Sequence, residues 1–239
     1  MYYSLYNACH NSFVFCTYEK DIDYSKLTIA LCDKHDKDGL IAVEIANEDD
    51  YDLVMHFYNR DGSLAPMCGN GTRCMMLYAY KLAFIDIKKE IKIKTNGGDV
   101  YSKINSLNPL SISVNLGKIS FSPELLDLDS KDEMIDEEEN IDGVSLKMTA
   151  IFLRTHHLVC EIDNDVDIYN LDKVAKEIYA NPVFKKKINI NFVKIIDKDN
   201  IFVRTYERGV GWTKACGTGA ASSFALLNKK KLVNNIVRL

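Results

Sequence analysis

Two cysteines of this 239-residue chain, Cys68 and Cys216, begin the same short pattern, Cys-Gly-x-Gly. The residues after each pattern are rich in alanine, leucine, methionine and serine, and they predict buried helices over about 69–83 and 217–231. Because the first amides of a helix have no internal partner, a carboxylate can bind there, and the glycines let it approach the backbone closely. The same partial positive charge lowers the pKa of a thiol. We therefore expect two reactive cysteines, each at the start of a buried helix.

The two patterns belong to an internal repeat. A shift of 148 positions aligns five identical residues in one register, namely Tyr58 with Tyr206, Arg60 with Arg208, Cys68 with Cys216, Gly69 with Gly217 and Gly71 with Gly219. A weaker match at a shift of 144 positions aligns Cys16 with Cys160. A shared period of this kind indicates a duplicated structural unit. The chain is therefore predicted to consist of two related halves, 1–110 and 111–239.

A pair of thiols on opposite sides of a clamped amino acid can invert its α-carbon. One thiolate removes the α-proton and the opposite thiol donates a proton to the other face, so one cysteine starts charged and the other neutral. The helix N-termini stabilise the charge that develops on the carboxylate. Cys68 and Cys216 thus predict an amino-acid racemase or epimerase that needs neither a metal nor pyridoxal phosphate. Two thiols a substrate's width apart also predict a disulfide that forms on oxidation and abolishes activity.

Composition limits the remaining possibilities. The apolar fraction of 47% and charged fraction of 27% are typical of globular proteins, and a net charge of −4 with scattered basic residues argues against nucleic-acid binding. No apolar run reaches the roughly 18 residues of a membrane helix, and the first residues do not resemble a secretory signal. We expect a cytoplasmic protein with no membrane or nucleic-acid partner.

The other five cysteines are expected to be packing residues. The seven cysteines contain no Cys-x-x-Cys pair, which argues against a disulfide framework or a zinc ribbon. Free cysteines are usually buried as small apolar side chains. This expectation covers Cys9, Cys16, Cys32, Cys74 and Cys160.

Alternating apolar residues predict several strands. These are 13–18, 40–45, 53–58, 91–95, 111–115 and 201–206. A third helix, about 172–179, has the pattern of an amphipathic surface element. The acidic run 131–140 is interpreted as a solvated loop.

Two longer motifs closely resemble those of diaminopimelate epimerases. They are Met67-Cys-Gly-Asn-Gly71 with Arg73-Cys74, and Tyr206-Glu-Arg-Gly209 leading to Ala215-Cys-Gly-Thr-Gly219. The resemblance extends from Asn11 to about Leu227. It implies an α/β (α+β) fold of two pseudo-symmetric domains, each a curled, mostly antiparallel sheet around a central helix. It also implies a cofactor-independent isomerase, acting on LL- and meso-diaminopimelate in lysine and cell-wall biosynthesis, and a homodimer.

The resemblance also implies roles for individual residues. It assigns Cys68 and Cys216 as the acid–base pair. The α-carboxylate of the substrate would be bound by Gly69, Asn70, Gly217 and Thr218. The distal end would be recognised by Asn11, Asn59, Asn189, Glu207 and Arg208. In the family the arginine pairs with the distal carboxylate, which suits a bidentate guanidinium, and the glutamate pairs with the distal amino group.

Several departures from the family pattern concern the distal end of the substrate. The family's Gly-Asn-Asp-Phe is His10-Asn-Ser-Phe13 here, and the segment before Asp-Gly-Leu is replaced by 33–37. In the family's Gly-Asn-Pro-His, the asparagine has become Thr155, while the histidine is His157, which we place near the cleft. Trp212 replaces a glutamate and is interpreted as a cap on the cleft or a stacking surface for an aromatic substrate. The substrate is thus diaminopimelate or another amino acid such as histidine, which relatives of this family racemise.

Two further classes of function compete with an epimerase. A covalent cysteine enzyme of the tyrosine phosphatase kind places an arginine at Cys-x5-Arg spacing, whereas Arg73 follows Cys68 at Cys-x4-Arg. A single nucleophile also leaves the duplicated pattern unexplained. The second competing class is a non-catalytic amino-acid-binding protein. Such a protein would not need the second cysteine, so the presence of Cys216 argues against it.

Overall fold

A computed structural model of the chain describes residues 2–46, 50–87 and 89–239. It contains two compact units, Met1–Leu116 and Gly117–Leu239. Within the described residues, no helix is both long enough and apolar enough to cross a membrane.

Among its described residues, the first unit has a seven-stranded sheet and two helices. Its elements are β1 (Tyr3–Ala8), β2 (Asn11–Thr17), α1 (Tyr24–His35), β3 (Gly39–Ile45), β4 (Leu53–Asn59), α2 (Gly69–Lys81), β5 (Ile91–Lys94), β6 (Val100–Leu107) and β7 (Leu110–Asn115). The strands lie in chain order, and only the β2–β3 and β4–β5 pairs are parallel. Helix α2 packs against β1, β2, β3, β6 and β7. The sequence-based boundary at residue 110 divides the β6–β7 hairpin, whereas the structural boundary follows it.

Strand β2 shows how the sequence builds a core on both faces of this sheet. Successive side chains of a strand point to opposite faces. Phe13 and Phe15 belong to the apolar cluster around α2, whereas Val14 and Cys16 belong to the cluster under α1. Because this strand is covered on both faces, its four central residues, 13–16, are all apolar and buried.

The second unit is a six-stranded sheet with three helices. Its elements are α3 (Pro123–Leu126), β8 (Glu137–Ile141), β9 (Val144–Leu153), β10 (Thr155–Ile162), α4 (Asp172–Ala180), β11 (Asn189–Ile195), β12 (Ile201–Glu207), β13 (Gly211–Thr213) and α5 (Gly217–Lys229). The strand order is β13-β12-β11-β10-β9-β8, and only β10–β11 is parallel. Helix α5 packs against β9 to β12.

The two units repeat one pairing register, which confirms the fold predicted from the resemblance. Helix α5 and strand β12 cover the residues of α2 and β4 shifted by 148 positions. The equivalent residue pairs are Phe13–Gly39 and His157–Asn189, Ile41–Phe57 and Asn191–Thr205, and Tyr58–Leu64 and Tyr206–Trp212.

Two local features differ from the sequence-based expectation. The acidic run is not entirely a loop, because its end forms β8, whose backbone pairs with β9 while its glutamates stay exposed. Helix α1 was not predicted. It buries only Tyr24, Thr28 and Cys32, a single narrow stripe, and it begins with an Asp23 side-chain cap on the amide of Lys26.

Candidate active site

Cys68 caps the N-terminus of α2. Its backbone is extended, and its Sγ accepts a hydrogen bond from the amide of Gly71 at 3.4 Å. Gly71 packs closely here, because a Cβ at this position would lie 2.6 Å from Cδ1 of Ile41 and that side chain would have to shift. The first intrahelical bond runs from Thr72 N to Cys68 O at 2.8 Å. The amides of Gly69 and Asn70 precede that bond, so they are the helix-start donors expected from the sequence.

A side-chain network fixes Asn70 beside this thiol. Asn70 is buried, and its Nδ2 donates to Oδ1 of Asn11 at 2.6 Å. Its Oδ1 accepts a hydrogen bond from Nη2 of Arg73, which also donates to Sγ of Cys9 at 3.1 Å. The first unit therefore brings together three of the predicted site residues, Asn11, Cys68 and Asn70.

Cys216 caps α5 in the same way. Its backbone is extended, and Sγ accepts from the amide of Gly219 at 3.4 Å. The hydroxyl of Thr218 lies 3.5 Å from the same sulfur. The first intrahelical bond runs from Ala220 N to Cys216 O at 2.9 Å. The two thiol caps thus repeat one geometry.

The protonation of Cys216 differs from the sequence-based expectation. Burial of the thiol and the nearby carboxylate of Glu207 raise the pKa of Cys216 above its ordinary value of 9.0. Hydrogen bonds from Thr218 and Gly219 act in the opposite direction but are the weaker effect. The expected lowering by the helix start is therefore overcome, because desolvation disfavours the thiolate. Cys216 is a neutral thiol at neutral pH.

Three distal-recognition candidates meet at the end of β12. Oε1 of Glu207 accepts a hydrogen bond from Thr213 Oγ1 at 2.6 Å. Oδ1 of Asn189 accepts from the amide of Arg208 at 2.9 Å, and its Nδ2 donates to His156 O at 3.0 Å. Asn189, which was predicted to recognise the distal end of the substrate, therefore also holds the backbone of Arg208 in place.

The remaining predicted residues lie in more varied surroundings. Asn59 ends β4, is exposed, and donates to Ser63 Oγ at 3.0 Å. Thr155 is half-buried at the start of β10. His157 is fully buried, and its Nδ1 lies 3.1 Å from Nδ2 of Asn191. Burial lowers the pKa of His157 to about 3, so this imidazole is neutral.

Trp212 is not a free stacking surface. The guanidinium of Arg204 lies 3.9 Å from its ring centroid, and Phe192 and Tyr206 pack around the same ring. Its Nε1 donates to Oδ1 of Asp172 at 3.2 Å. The stacking hypothesis for Trp212 is therefore not supported, because the ring is already used in packing.

Four of the five other cysteines are packing residues, and one is not. Cys16, Cys32, Cys74 and Cys160 are buried. Burial raises the pKa of Cys16 to about 12 and that of Cys74 to about 11, which keeps both thiols inert. Cys9 is exposed, contrary to expectation, because it lies in the β1–β2 turn with a positive φ of 49° and contacts Arg73.

The side chains that support the site were not predicted from the sequence. Asn191 is the clearest case, since it is fully buried among polar partners. A signal was present in the repeat. Strand pairing aligns Asn191 with Ile41, so a polar residue occupies a position that is apolar in the other half.

Comparisons with known proteins identify the family of this chain. The family model for diaminopimelate epimerase matches residues 3–122 and 153–238. A diaminopimelate epimerase of Caldanaerobacter subterraneus subsp. tengcongensis is 33% identical over 219 residues, covering 89% of this chain and 78% of the relative. A diaminopimelate epimerase of Methanocaldococcus jannaschii is 34% identical over 215 residues, covering 84% of this chain and 72% of the relative.

Solved structures with lower identity show the same fold. A PhzF-family protein of Bacillus anthracis aligns with a TM-score of 0.61 at 14% identity, covering 94% of this chain and 78% of that chain. A probable proline racemase from Agrobacterium radiobacter K84 aligns with a TM-score of 0.63 at 10% identity, covering 97% and 78%. The family model and the relatives at 33% and 34% identity show that the chain belongs to the diaminopimelate epimerase family and is an isomerase.

Proposed function

We propose that the protein is a cofactor-independent epimerase that inverts the α-carbon of diaminopimelate by proton transfer between Cys68 and Cys216. The observation that carries this proposal is the duplicated thiol cap, in which each sulfur accepts a hydrogen bond from a glycine amide at 3.4 Å. A single-nucleophile reaction does not require the second copy. Arg73, the residue that a phosphatase-like reaction would need, is engaged with Asn70 and Cys9.

In the proposed reaction the two thiols start in different protonation states. Cys216 enters as the neutral thiol, because its burial and Glu207 raise its pKa. In the direction in which Cys216 is the acid, Cys68 is the base and takes the α-proton, while Cys216 delivers its own proton to the opposite face of the carbon. At the end Cys68 carries a proton and Cys216 is the thiolate, so the reverse reaction uses the same groups with exchanged roles.

The negative charge that develops during proton removal needs donors at the α-carboxylate. We assign this role to the backbone amides that precede the first intrahelical bonds, those of Gly69, Asn70, Gly217 and Thr218. Such fixed donors stabilise charge without reorganising during the reaction. The helix dipoles act in the same direction.

The distal end of diaminopimelate, which carries both an ammonium and a carboxylate, matches the pair Glu207 and Arg208. Among the described residues, the guanidinium of Arg208 has one hydrogen bond, from Nη1 to Lys186 O at 3.4 Å. Its remaining donors suit a carboxylate. Glu207 has one oxygen bonded to Thr213, and its other oxygen has no hydrogen-bond partner within the described chain. This charge pair favours diaminopimelate over histidine, which has no distal carboxylate.

Incubation in deuterated water tests the assignment. The protein is incubated separately with LL-diaminopimelate, meso-diaminopimelate, L-histidine and the other amino acids, and loss of the α-proton signal is followed by proton NMR. We expect deuterium incorporation and inversion with diaminopimelate. Exchange of histidine alone would overturn the substrate assignment, and exchange of none of the amino acids would overturn the function.

A further inference from the structure

Helix α5 and three of the strands that it packs against, β10 to β12, bury a layer of polar side chains between them. The fully or almost fully buried members are His157, Asn191, Thr205, Ser222 and Ser223. At the equivalent positions the first unit has apolar or weakly polar residues, namely Phe13, Ile41, Phe57, Cys74 and Met75. Buried polar groups are costly unless they are hydrogen-bonded. Among the described residues, the polar layer occurs at helix α5 and not at helix α2, and we therefore expect it to serve a function at α5.

Asn191 is the centre of this layer. Its Nδ2 lies 3.1 Å from both Nδ1 of His157 and the carbonyl oxygen of Leu158. Its Oδ1 accepts a hydrogen bond from Thr205 Oγ1 at 3.0 Å. The two hydrogens of Nδ2 and one lone pair of Oδ1 are thus used, and the side chain has no solvent exposure.

The carbonyl of Leu158 determines which way the amide of Asn191 faces. Turning the amide over would place Oδ1 against this carbonyl oxygen, where two acceptors repel each other. Nδ2 therefore faces Leu158, and it must also donate to His157. Because Nδ1 of His157 accepts this bond, the proton of the neutral imidazole is on Nε2. Burial keeps the ring neutral by lowering its pKa to about 3.

Asn191 also lies directly under the cap of Cys216. A Cβ at Gly219 would overlap Oδ1 of Asn191 and would lie 3.1 Å from Oγ1 of Thr205. The amide of Gly219 is the one that donates to the sulfur of Cys216. The Asn191 side chain is therefore a rigid support for the backbone that holds the thiol.

We propose that Asn191 is a positioning residue that fixes His157 as the Nε2–H tautomer and seats Gly219 so that its amide reaches the Cys216 thiol. His157 is then a hydrogen-bond donor at Nε2 and cannot accept a proton there. Nε2 is buried and has no hydrogen-bond partner within residues 2–46, 50–87 and 89–239. This donor is thus unsatisfied among the described residues. The role of Asn191 in the reaction rests on the proposed function, whereas the tautomer does not.

The tautomer is measured on the protein itself. The chain has five histidines, and ¹⁵N-histidine labelling with two-dimensional NMR separates protonated from unprotonated ring nitrogens. We expect Nε2–H for His157 in the wild-type protein. A spectrum showing Nδ1–H overturns the proposal without any substitution.

Asn191→Asp is the most informative variant. A carboxylate of the same size cannot donate to Nδ1, and it favours a proton on that nitrogen. We expect His157 to change to the Nδ1–H or doubly protonated form. Ser222→Ala is the matched control, because this hydroxyl is buried in the same layer and has no hydrogen-bond partner among the described residues. The control is expected to keep the Nε2–H form.

The kinetic arm separates positioning from a structural role. For Asn191→Asp we expect kcat to fall by up to about 100-fold, because small misplacements of acid–base groups have effects of that size, while KM changes little. Ser222→Ala is expected to keep both constants. Unchanged kcat in a variant whose tautomer has switched would overturn the role in the reaction. If the wild-type protein exchanges no amino acid, the proposed function fails, while the NMR result still decides the tautomer.

Discussion

The helix that begins at Cys68 and the helix that begins at Cys216 share a backbone geometry but rest on different chemistry. Gly71 packs against Ile41, and Gly219 packs at the equivalent position against Asn191. The carboxylate of Glu207 near Cys216 also has a neutral counterpart, since the equivalent residue of the first unit is Asn59. Duplication thus preserved the thiol cap, while the surroundings of the two thiols diverged. A two-base reaction benefits from this difference, because its thiols must start in unequal protonation states.

Alanine at the two cap glycines tests how rigid the two supports are. In Gly71→Ala the new Cβ meets the end of the Ile41 side chain, which can move. In Gly219→Ala it meets the amide of Asn191, which is held by several hydrogen bonds. We expect losses in the free energy of unfolding of about 1 kcal/mol and about 3 kcal/mol, respectively. Denaturant unfolding measures both, and equal losses would contradict a stiffer second support.

His157→Phe gives the second unit the residue found at Phe13 in the first. Folding lowers the pKa of His157 to about 3 from an ordinary value of 6.5. Below pH 6.5 the unfolded chain therefore binds a proton that the folded chain does not, and stability is lost as pH falls toward 3. This amounts to about 2 kcal/mol between roughly pH 7.5 and 5. We expect the variant to remove that slope, with exposed His10→Phe as control. An unchanged slope would refute a buried neutral His157.

The two equivalent arginines are expected to differ in function. Arg60 pairs with Asp36 at 2.8 Å and Asp33 at 3.4 Å on the surface, so Arg60→Gln should leave the free energy of unfolding nearly unchanged. Arg208→Gln should raise KM for diaminopimelate about tenfold or more, since hydrogen bonds to charged groups contribute about 1.5–3 kcal/mol. Steady-state kinetics on both variants measures the contrast. Equal KM values for Arg208→Gln and Arg60→Gln would show that Arg208 does not recognise the substrate.

Glu207→Gln tests the electrostatic difference between the thiols. Removing this charge should lower the pKa of Cys216, because the carboxylate raises it. The alkylation rate of Cys216, followed by peptide mass spectrometry against pH in a Cys68→Ser background, gives the midpoint. Thr213→Val is the control, because it removes the hydrogen bond to Glu207 and keeps the charge. If the pH midpoint of Cys216 alkylation is the same in Glu207→Gln as with glutamate, Glu207 does not raise the pKa of Cys216.

Much of the fold was predictable because the relevant signals are local. The Cys-Gly-x-Gly pattern predicts a capped helix start, and both helices begin where it places them. The alternating strands were also found, including β4 and β12. Helix α1 was missed because its buried stripe is one residue wide. Strand β8 was missed because its pairing with β9 depends on backbone hydrogen bonds and not on its acidic side chains.

The positions of the two thiols at helix starts were predictable, whereas their surroundings were not. The motif places Cys68 and Cys216 at the helix N-termini, but the pKa of Cys216 depends on burial and on Glu207, which only the tertiary structure reveals. The same holds for Arg73 and Asn191, whose partners are distant in sequence. Comparing the repeats strand by strand would have marked Asn191 as a polar residue at an apolar position.

The central claim is that each unit supplies one of two thiols that act on the same α-carbon. The most direct measurement follows α-proton exchange and inversion of LL- and meso-diaminopimelate in deuterated water, with wild-type protein, Cys68→Ser and Cys216→Ser. We expect either serine variant to lose inversion by roughly 10²- to 10⁴-fold. Inversion at the wild-type rate in either variant would show that one thiol suffices and would refute the two-thiol reaction.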